Sequence, residues 1–223
     1  MPNLLSIQVG QPRMLEAVAG DTSQKPWTTS FFKQPVSGPV RVGKLGLEGD
    51  AVADTQVHGG ADKAVCVYSA DRWPYWRERL KHLLESNGEE FGPAAFGENF
   101  SVAGLDEESV CIGDRWRIGD AEFEVSQPRQ PCWKLARRWR IMKLTLWTQE
   151  TGYTGWYVRV TKEGTVTAGD AIELIERPLP RWTIDRANSV MYELRDDRDA
   201  NAELAALGPL SESWKRQLMK RIS

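Results

Sequence analysis

The sequence predicts a mainly β protein that ends in a small bundle of helices. Three observations carry that reading. From residue 100 onward, short apolar or alternating segments at 109–112, 115–118 and 121–125 are separated by Gly-Asp pairs at 113–114 and 119–120. Close-set strands with turn signals between them argue for a compact barrel or sandwich. The run RPLP at 177–180 is the best linker in the chain, because proline lacks the N–H that a ladder or helix interior requires. Beyond it the apolar period becomes helical, with Ile184, Ala187 and Met191 on one face and Trp214, Leu218 and Ile222 on another. The division that follows is a β unit over residues 1–178 and a three-helix unit over 179–223.

Several function classes fall away on composition. A net charge of -2 supplies no overall basic field to recruit nucleic acid or an anionic membrane. No apolar run reaches the roughly 20 residues of a membrane span, and residues 1–5 lack the charged-then-apolar pattern of a signal peptide. The cysteines are Cys66, Cys111 and Cys132, an odd number without metal-type spacing. With two histidines beside them, no iron–sulfur or zinc quartet can be assembled. A reduced, cytoplasmic protein is the simplest expectation. Ten tryptophans imply a core or cleft built from large rings.

In chain order, residues 4–9 form an opening strand with Leu5, Ile7 and Val9 on one face. Residues 10–40 are rich in Gly, Pro, Ser and Thr and read as irregular. Strands are expected at 40–42 and 64–68. Ser69 then caps a helix to about Ser86, stopped by Asn87 and Gly88. Trp73, Trp76, Leu80, Leu83 and Leu84 make its core-facing stripe. An amphipathic helix is expected over 137–147, with further strands at 156–160, 165–167 and 172–175. In the tail, helices over 184–191 and 202–207 precede a third that is capped by Ser211 and made basic by Lys215, Arg216, Lys220 and Arg221. That basic helix is read as a solvated face in preference to a nucleic-acid contact.

The chemistry concentrates in a few segments. At 126–135 the run SQPRQPCWKL holds two prolines, each biasing its predecessor toward extended geometry. The strand over 122–125 should therefore stop there and yield a stiff loop that presents Cys132 between Arg129 and Lys134. Nearby cations favour the thiolate, the form that attacks electrophiles or binds soft metals; the plain alternative is a small buried hydrophobe. Cys66 and Cys111 fall inside apolar strands and are expected to be buried, which singles out Cys132. At 54–68 the run DTQVHGGADKAVCVY places Gly59 and Gly60 between His58 and the Asp62-Lys63 pair. Such a glycine turn can bind an anion through its amides, or be a turn and nothing more. Asn99, in FGEN at 96–99, can meet a heterocycle edge or make an Asx turn. The segment from Lys25 to Lys33, with two cations and several aromatics, reads equally as a lid that grips an anion or as a surface loop.

Taken together, GLEGD at 46–50, the 54–68 run, FGEN, Gly104-Leu105, IGD at 112–114, VSQPRQPCWKL at 125–135 and TGYTGWY at 151–157 resemble the MOSC family. The tail ALGPLSESWKRQLMKR at 206–221 resembles the YiiM-like subgroup, in which a three-helix appendage follows the MOSC domain. The resemblance implies a closed β-barrel whose mouth binds a molybdopterin-type molybdenum cofactor, with the Cys132 thiolate on molybdenum. It also implies that His58, Gly59, Gly60, Asp62 and Lys63 line the pterin or phosphate side. Asn99, Ser126, Gln127 and Arg129 would lie close to the cofactor, and Lys25 and Lys33 would reach its phosphate or the substrate. The implied reaction is two-electron reduction of N-hydroxylated compounds such as 6-N-hydroxylaminopurine, with Trp27, Trp133 or Trp156 stacking on the purine. No flavin, nicotinamide or ferredoxin signature is visible, so electrons would come from a separate flavoprotein reductase. The competing reading is a carrier of cofactor or sulfur, with a persulfide on Cys132. The helical tail can dimerise the protein, cover the cleft or dock the donor, and the sequence does not choose among these.

Overall fold

The computed structural model of the chain describes residues 1–16, 25–56, 58–87 and 90–222. Seven strands lead: β1 (Asn3–Val9), β2 (Arg13–Leu15), β3 (Trp27–Thr29), β4 (Gln34–Pro35), β5 (Val40–Gly43), β6 (Gly46–Leu47) and β7 (Val65–Ser69). Helix α1 (Trp73–Asn87) leads to β8 (Phe100–Ala103), β9 (Arg115–Ile118) and β10 (Ala121–Pro128). Helices α2 (Trp133–Trp139) and α3 (Leu144–Thr151) separate β10 from β11 (Trp156–Lys162), β12 (Gly164–Val166) and β13 (Ile172–Glu176). The tail is α4 (Ile184–Tyr192), α5 (Arg198–Ala205) and α6 (Glu212–Ile222).

Eight strands form one sheet in the order β13-β9-β10-β11-β7-β8-β1-β4, antiparallel at every step but the β7–β8 pair. The sheet curls without closing into the expected barrel. Its outer strands, β13 and β4, do not pair with each other; the seam is a single bridge, Asn3 to Ala171, with a few backbone bonds around it. The short edge strand β4 contains Pro35, whose missing N–H limits the ladder there. Smaller sheets β12-β5-β6 and β2-β3 complete the β part, so the described residues of the region read as irregular at 10–40 carry the short strands β2, β3 and β4.

Alternation places Ile118, Phe123, Val125, Val158 and Val160 inside the curl. Burial of each such side chain contributes on the order of 1.5–3 kcal/mol. The same core runs on through Trp182, Ile184, Val190, Leu204, Trp214 and Leu218, so the tail helices share the interior of the β part. A second, aromatic core joins α1, α2 and α3 through Trp76, Phe91, Phe96, Leu135, Trp139 and Leu144.

Several local expectations are corrected. In β1 it is Leu4 and Ile7 that are buried while Leu5 is exposed, because the register slips by a residue between Leu4 and Ser6. Leu83 is exposed, so the α1 stripe is Trp73, Trp76, Leu80 and Leu84; Gly88, the expected stop, lies outside the described residues. Residues 109–112 make only one bridge, Cys111 to Thr183, where a strand was expected. Buried Asp114 holds that turn, accepting from the Cys111 N–H at 3.0 Å and from Arg177 at 2.7 and 2.8 Å. The helix expected over 137–147 is two helices, α2 and α3, parted where Arg140 turns to φ 55. Strand β10 runs on through Ser126 and Gln127 to Pro128 instead of stopping at 125. Past Glu124 it has only β11 as a ladder neighbour, and an edge tolerates a residue without an N–H.

Candidate functional site

The stiff segment after β10 does deliver Cys132 to a shaped surface. Cys132 is the residue before α2, in extended geometry, and its side chain makes no capping bond. It is half-buried, whereas Cys66 and Cys111 are buried. Cys66 also borders the cleft, but burial pushes its thiol up to about 11, so it stays protonated at neutral pH. Cys132 stands where two arms of one cleft meet. The first arm has a volume of about 750 Å³ and the second about 560 Å³. Asp54, His58, Lys63, Gln130, Cys132, Lys134 and Tyr157 line both.

The first arm is walled by the β part. Lys33 and Asp50 form a buried ion pair on it. The Asp50 carboxylate also accepts from the Asn99 side-chain amide at 2.8 Å and from the Gly10 N–H at 2.8 Å. Asn99 donates to the Gln8 carbonyl at 3.2 Å as well, and its oxygen accepts from the Cys66 N–H at 3.1 Å. This amide therefore ties β1, β7 and the Asp50 turn together. Arg129 also lines this arm. It is 5% exposed, lies over Phe31 and Phe96 at 5.9 and 5.7 Å, and its Nη1 has no hydrogen-bond partner among the described residues. A buried guanidinium N–H without an acceptor is costly to leave unmatched, and this one borders a cavity.

His58 lies between these cations. Burial first, then Lys134, Arg129 and Lys63, lower its pKa to about 4, so the imidazole is neutral at pH 7. Gly59 and Gly60 follow it with φ of 73° and 81°, backbone that side chains other than hydrogen rarely adopt. Gly60 precedes the short turn that carries Asp62 and Lys63, and Lys63 itself has its pKa lowered by burial.

The second arm is walled by the tail. Ser213, Arg216, Gln217 and Lys220 of α6 face Gln127, Pro131, Cys132 and Trp133 across it. Short polar ties hold α6 there. Gln127 Oε1 accepts from the hydroxyls of Ser211 at 2.7 Å and Ser213 at 3.2 Å. The Ser211 N–H donates to the Ser126 carbonyl at 3.0 Å. The Gln130 and Gln217 amides pair with each other at 2.9 and 3.3 Å.

Of the residues singled out by sequence, Lys33, His58, Gly59, Lys63, Asn99, Arg129 and Cys132 line the first arm, and Gln127 the second. The others lie elsewhere. Asp62 pairs with Arg159 at 2.8 Å and caps the Glu212 N–H at 3.2 Å. The Ser126 hydroxyl donates to the carbonyls of Asp62 at 2.5 Å and Tyr157 at 3.0 Å. Lys25 is exposed, and its carbonyl accepts from Arg137. Among the tryptophans, Trp156 is buried in the core against Trp116 and cannot stack on a ligand. Trp133 is 54% exposed and tilts against Trp27 at 5.3 Å. Residues that sequence reasoning missed are Asp50, Tyr157, Arg216 and Lys220. Asp50 and Tyr157 were visible only as the last residues of the GLEGD and TGYTGWY motifs, and the two cations only as part of a basic helix.

The comparisons agree with this architecture. The MOSC domain matches residues 54–173 and the YiiM-like, 3-alpha helix domain matches 182–223. The chain belongs to the MOSC family, with a YiiM-like helical domain at its C-terminal end. It is 41% identical to YflK of Bacillus subtilis, over 98% of this chain and 94% of that one. The crystal structure of YiiM from Geobacillus stearothermophilus superposes with a TM-score of 0.82 at 35% identity, covering all of both chains. A protein of Gibberella moniliformis called a reductase is 39% identical over 70% of this chain, which corresponds to 27% of that longer protein.

Proposed function

We propose that this protein is a molybdenum-cofactor-dependent reductase of N-hydroxylated compounds, with 6-N-hydroxylaminopurine as a representative substrate. The observation that carries the reading is the pairing, in one cleft, of a half-buried thiol at Cys132 with the unmatched Nη1 of buried Arg129. A thiolate is a soft ligand suited to molybdenum. An unsatisfied guanidinium calls for an acceptor such as the oxygens or ring nitrogens of a pterin or its phosphate. The donor set therefore fits the group. Membership of the MOSC family and the reductase name of the Gibberella relative favour the same reading.

In this account Cys132 would hold the metal, while Arg129 and Lys63 would bind the anionic side of the cofactor in the first arm. When bound, the molybdenum cofactor supplies the two-electron redox step. Overall, an N-hydroxyl group takes up two electrons and two protons, and the products are the amine and water. Neutral His58 beside the junction can accept a hydrogen bond at one ring nitrogen and donate one at the other, while its lowered pKa keeps it from adding a further cation to the site at pH 7. Tyr157, which lines both arms, keeps its phenol protonated through burial and is hydrogen-bonded to Cys66. In this reading the electrons come from a separate flavoprotein reductase.

The test is formation of adenine from 6-N-hydroxylaminopurine by protein of verified molybdenum content, driven by a chemical reductant. Turnover by the wild type and none by Cys132→Ala is the expected result. Absence of adenine with molybdenum in place contradicts the reading.

A further inference from the structure

The second arm of the cleft has a character of its own. Four cations, Lys63, Lys134, Arg216 and Lys220, border it against one carboxylate, Asp54. Arg216 and Lys220 lie one helical turn apart on exposed positions of α6, so they project from the same side of the helix. Neither has an acid or a hydrogen-bond acceptor among the described residues. Exposed Trp133 stands on the same arm, next to Cys132. The arm's volume of about 560 Å³ lies in the range of sites for small molecules. An indole and the Arg216 and Lys220 cations on one arm match a heterocycle that carries a phosphate. Arginine forks pair with phosphate oxygens through two parallel bonds, and bases stack on indole rings.

We infer that the second arm is the substrate subsite and takes a nucleoside monophosphate, with Trp133 against the base and Arg216 and Lys220 on the phosphate. The preferred substrate is then the nucleotide form of an N-hydroxylated base, and the helical domain is a specificity element. This rests on the reductase reading for the identity of the reacting group, but the phosphate subsite itself can be measured without turnover. After burial, Arg216 also contributes to lowering the pKa of Lys63, which places this α6 cation within electrostatic reach of the junction.

The experiment is calorimetric titration of the full-length protein with adenosine 5′-monophosphate and with adenosine. The same titrations are made on an Arg216→Ala/Lys220→Ala double variant, and the molybdenum content of both proteins is measured. The wild type should bind the monophosphate at least roughly tenfold more tightly than adenosine, as expected for charge-assisted bonds to phosphate. In the double variant that preference should fall to within about twofold, with molybdenum content unchanged. Equal binding of the two probes by the wild type overturns the inference, as does a preference that survives in the double variant. Loss of molybdenum in the variant also overturns it, because the cations would then hold the cofactor. Both substituted residues are exposed and leave the buried Trp214 and Leu218 in place; an Arg216→Lys variant, which keeps the charge but loses the fork, should retain a preference between those of the wild type and the double variant. A wild type that lacks molybdenum but keeps the monophosphate preference would sink the reductase reading and leave the subsite standing.

Discussion

The two walls of the cleft are built on opposite terms. On the β side, Lys33 and Asp50 are 8% and 10% exposed and committed to each other, and Asn99 has bonds from both ends of its amide. On the helical side, Arg216 and Lys220 are exposed, and α6 is held by short polar ties at Gln127, Ser126 and Gln130. Charges that are already paired give shape; charges left without partners are available to a ligand. The β wall should therefore answer to mutation mainly in stability, and the helical wall mainly in binding.

The sharpest way to break that contrast is Asp50→Ala. It leaves the Lys33 ammonium buried without its counter-ion and removes an acceptor from Asn99 and Gly10. Removing one partner of a buried pair costs about 3–5 kcal/mol, read as a lower urea midpoint at unchanged slope. A loss below about 1 kcal/mol, the range of surface pairs, would make the two walls alike.

A smaller effect is expected from His58. Its pKa is about 4 in the fold against an ordinary 6.5, so below pH 6.5 the unfolded chain takes up the proton first. Stability is therefore full above pH 6.5 and declines as pH falls toward 4. His58→Gln should flatten the decline over that window in the cofactor-free protein; an identical pH profile in the variant would count against a buried, neutral imidazole.

Least of all, Ser211→Ala should cost about 1–2 kcal/mol, because Gln127 keeps its bond to Ser213 while the Trp214 N–H at the start of α6 loses its acceptor. Its informative readout is nucleotide affinity, which should weaken as the α6 wall loosens. Unchanged affinity at reduced stability would detach the Ser211 tie from the site.

Parts of this were legible in the chain. Cys132 stood out through its flanking prolines and cations, and Trp214 and Leu218 marked the core face of α6. Local pattern ran out where tertiary pairing decides. The ladder to β11 carries β10 past Val125 to Pro128, and a left-handed residue at Arg140 splits one amphipathic run into two helices. The single bridge at Asn3 and Ala171 leaves the barrel open. Asp62 and Ser126 share motifs with site residues yet serve Arg159, Glu212 and the Tyr157 carbonyl. Proximity in sequence does not say which way a side chain points. Nor does a basic helix some 80 residues downstream declare which groove it borders; the Gln130–Gln217 pair does that.

The central claim is that Cys132 anchors a molybdenum cofactor where the two walls meet. Its most direct test is the molybdenum and pterin content of the protein purified from a host that makes the cofactor, with Cys132→Ala and Cys66→Ala prepared alongside. The account predicts near-stoichiometric molybdenum in the wild type and in Cys66→Ala, and its loss in Cys132→Ala. Molybdenum retained without Cys132, or absent from the wild type across independent preparations, would contradict it.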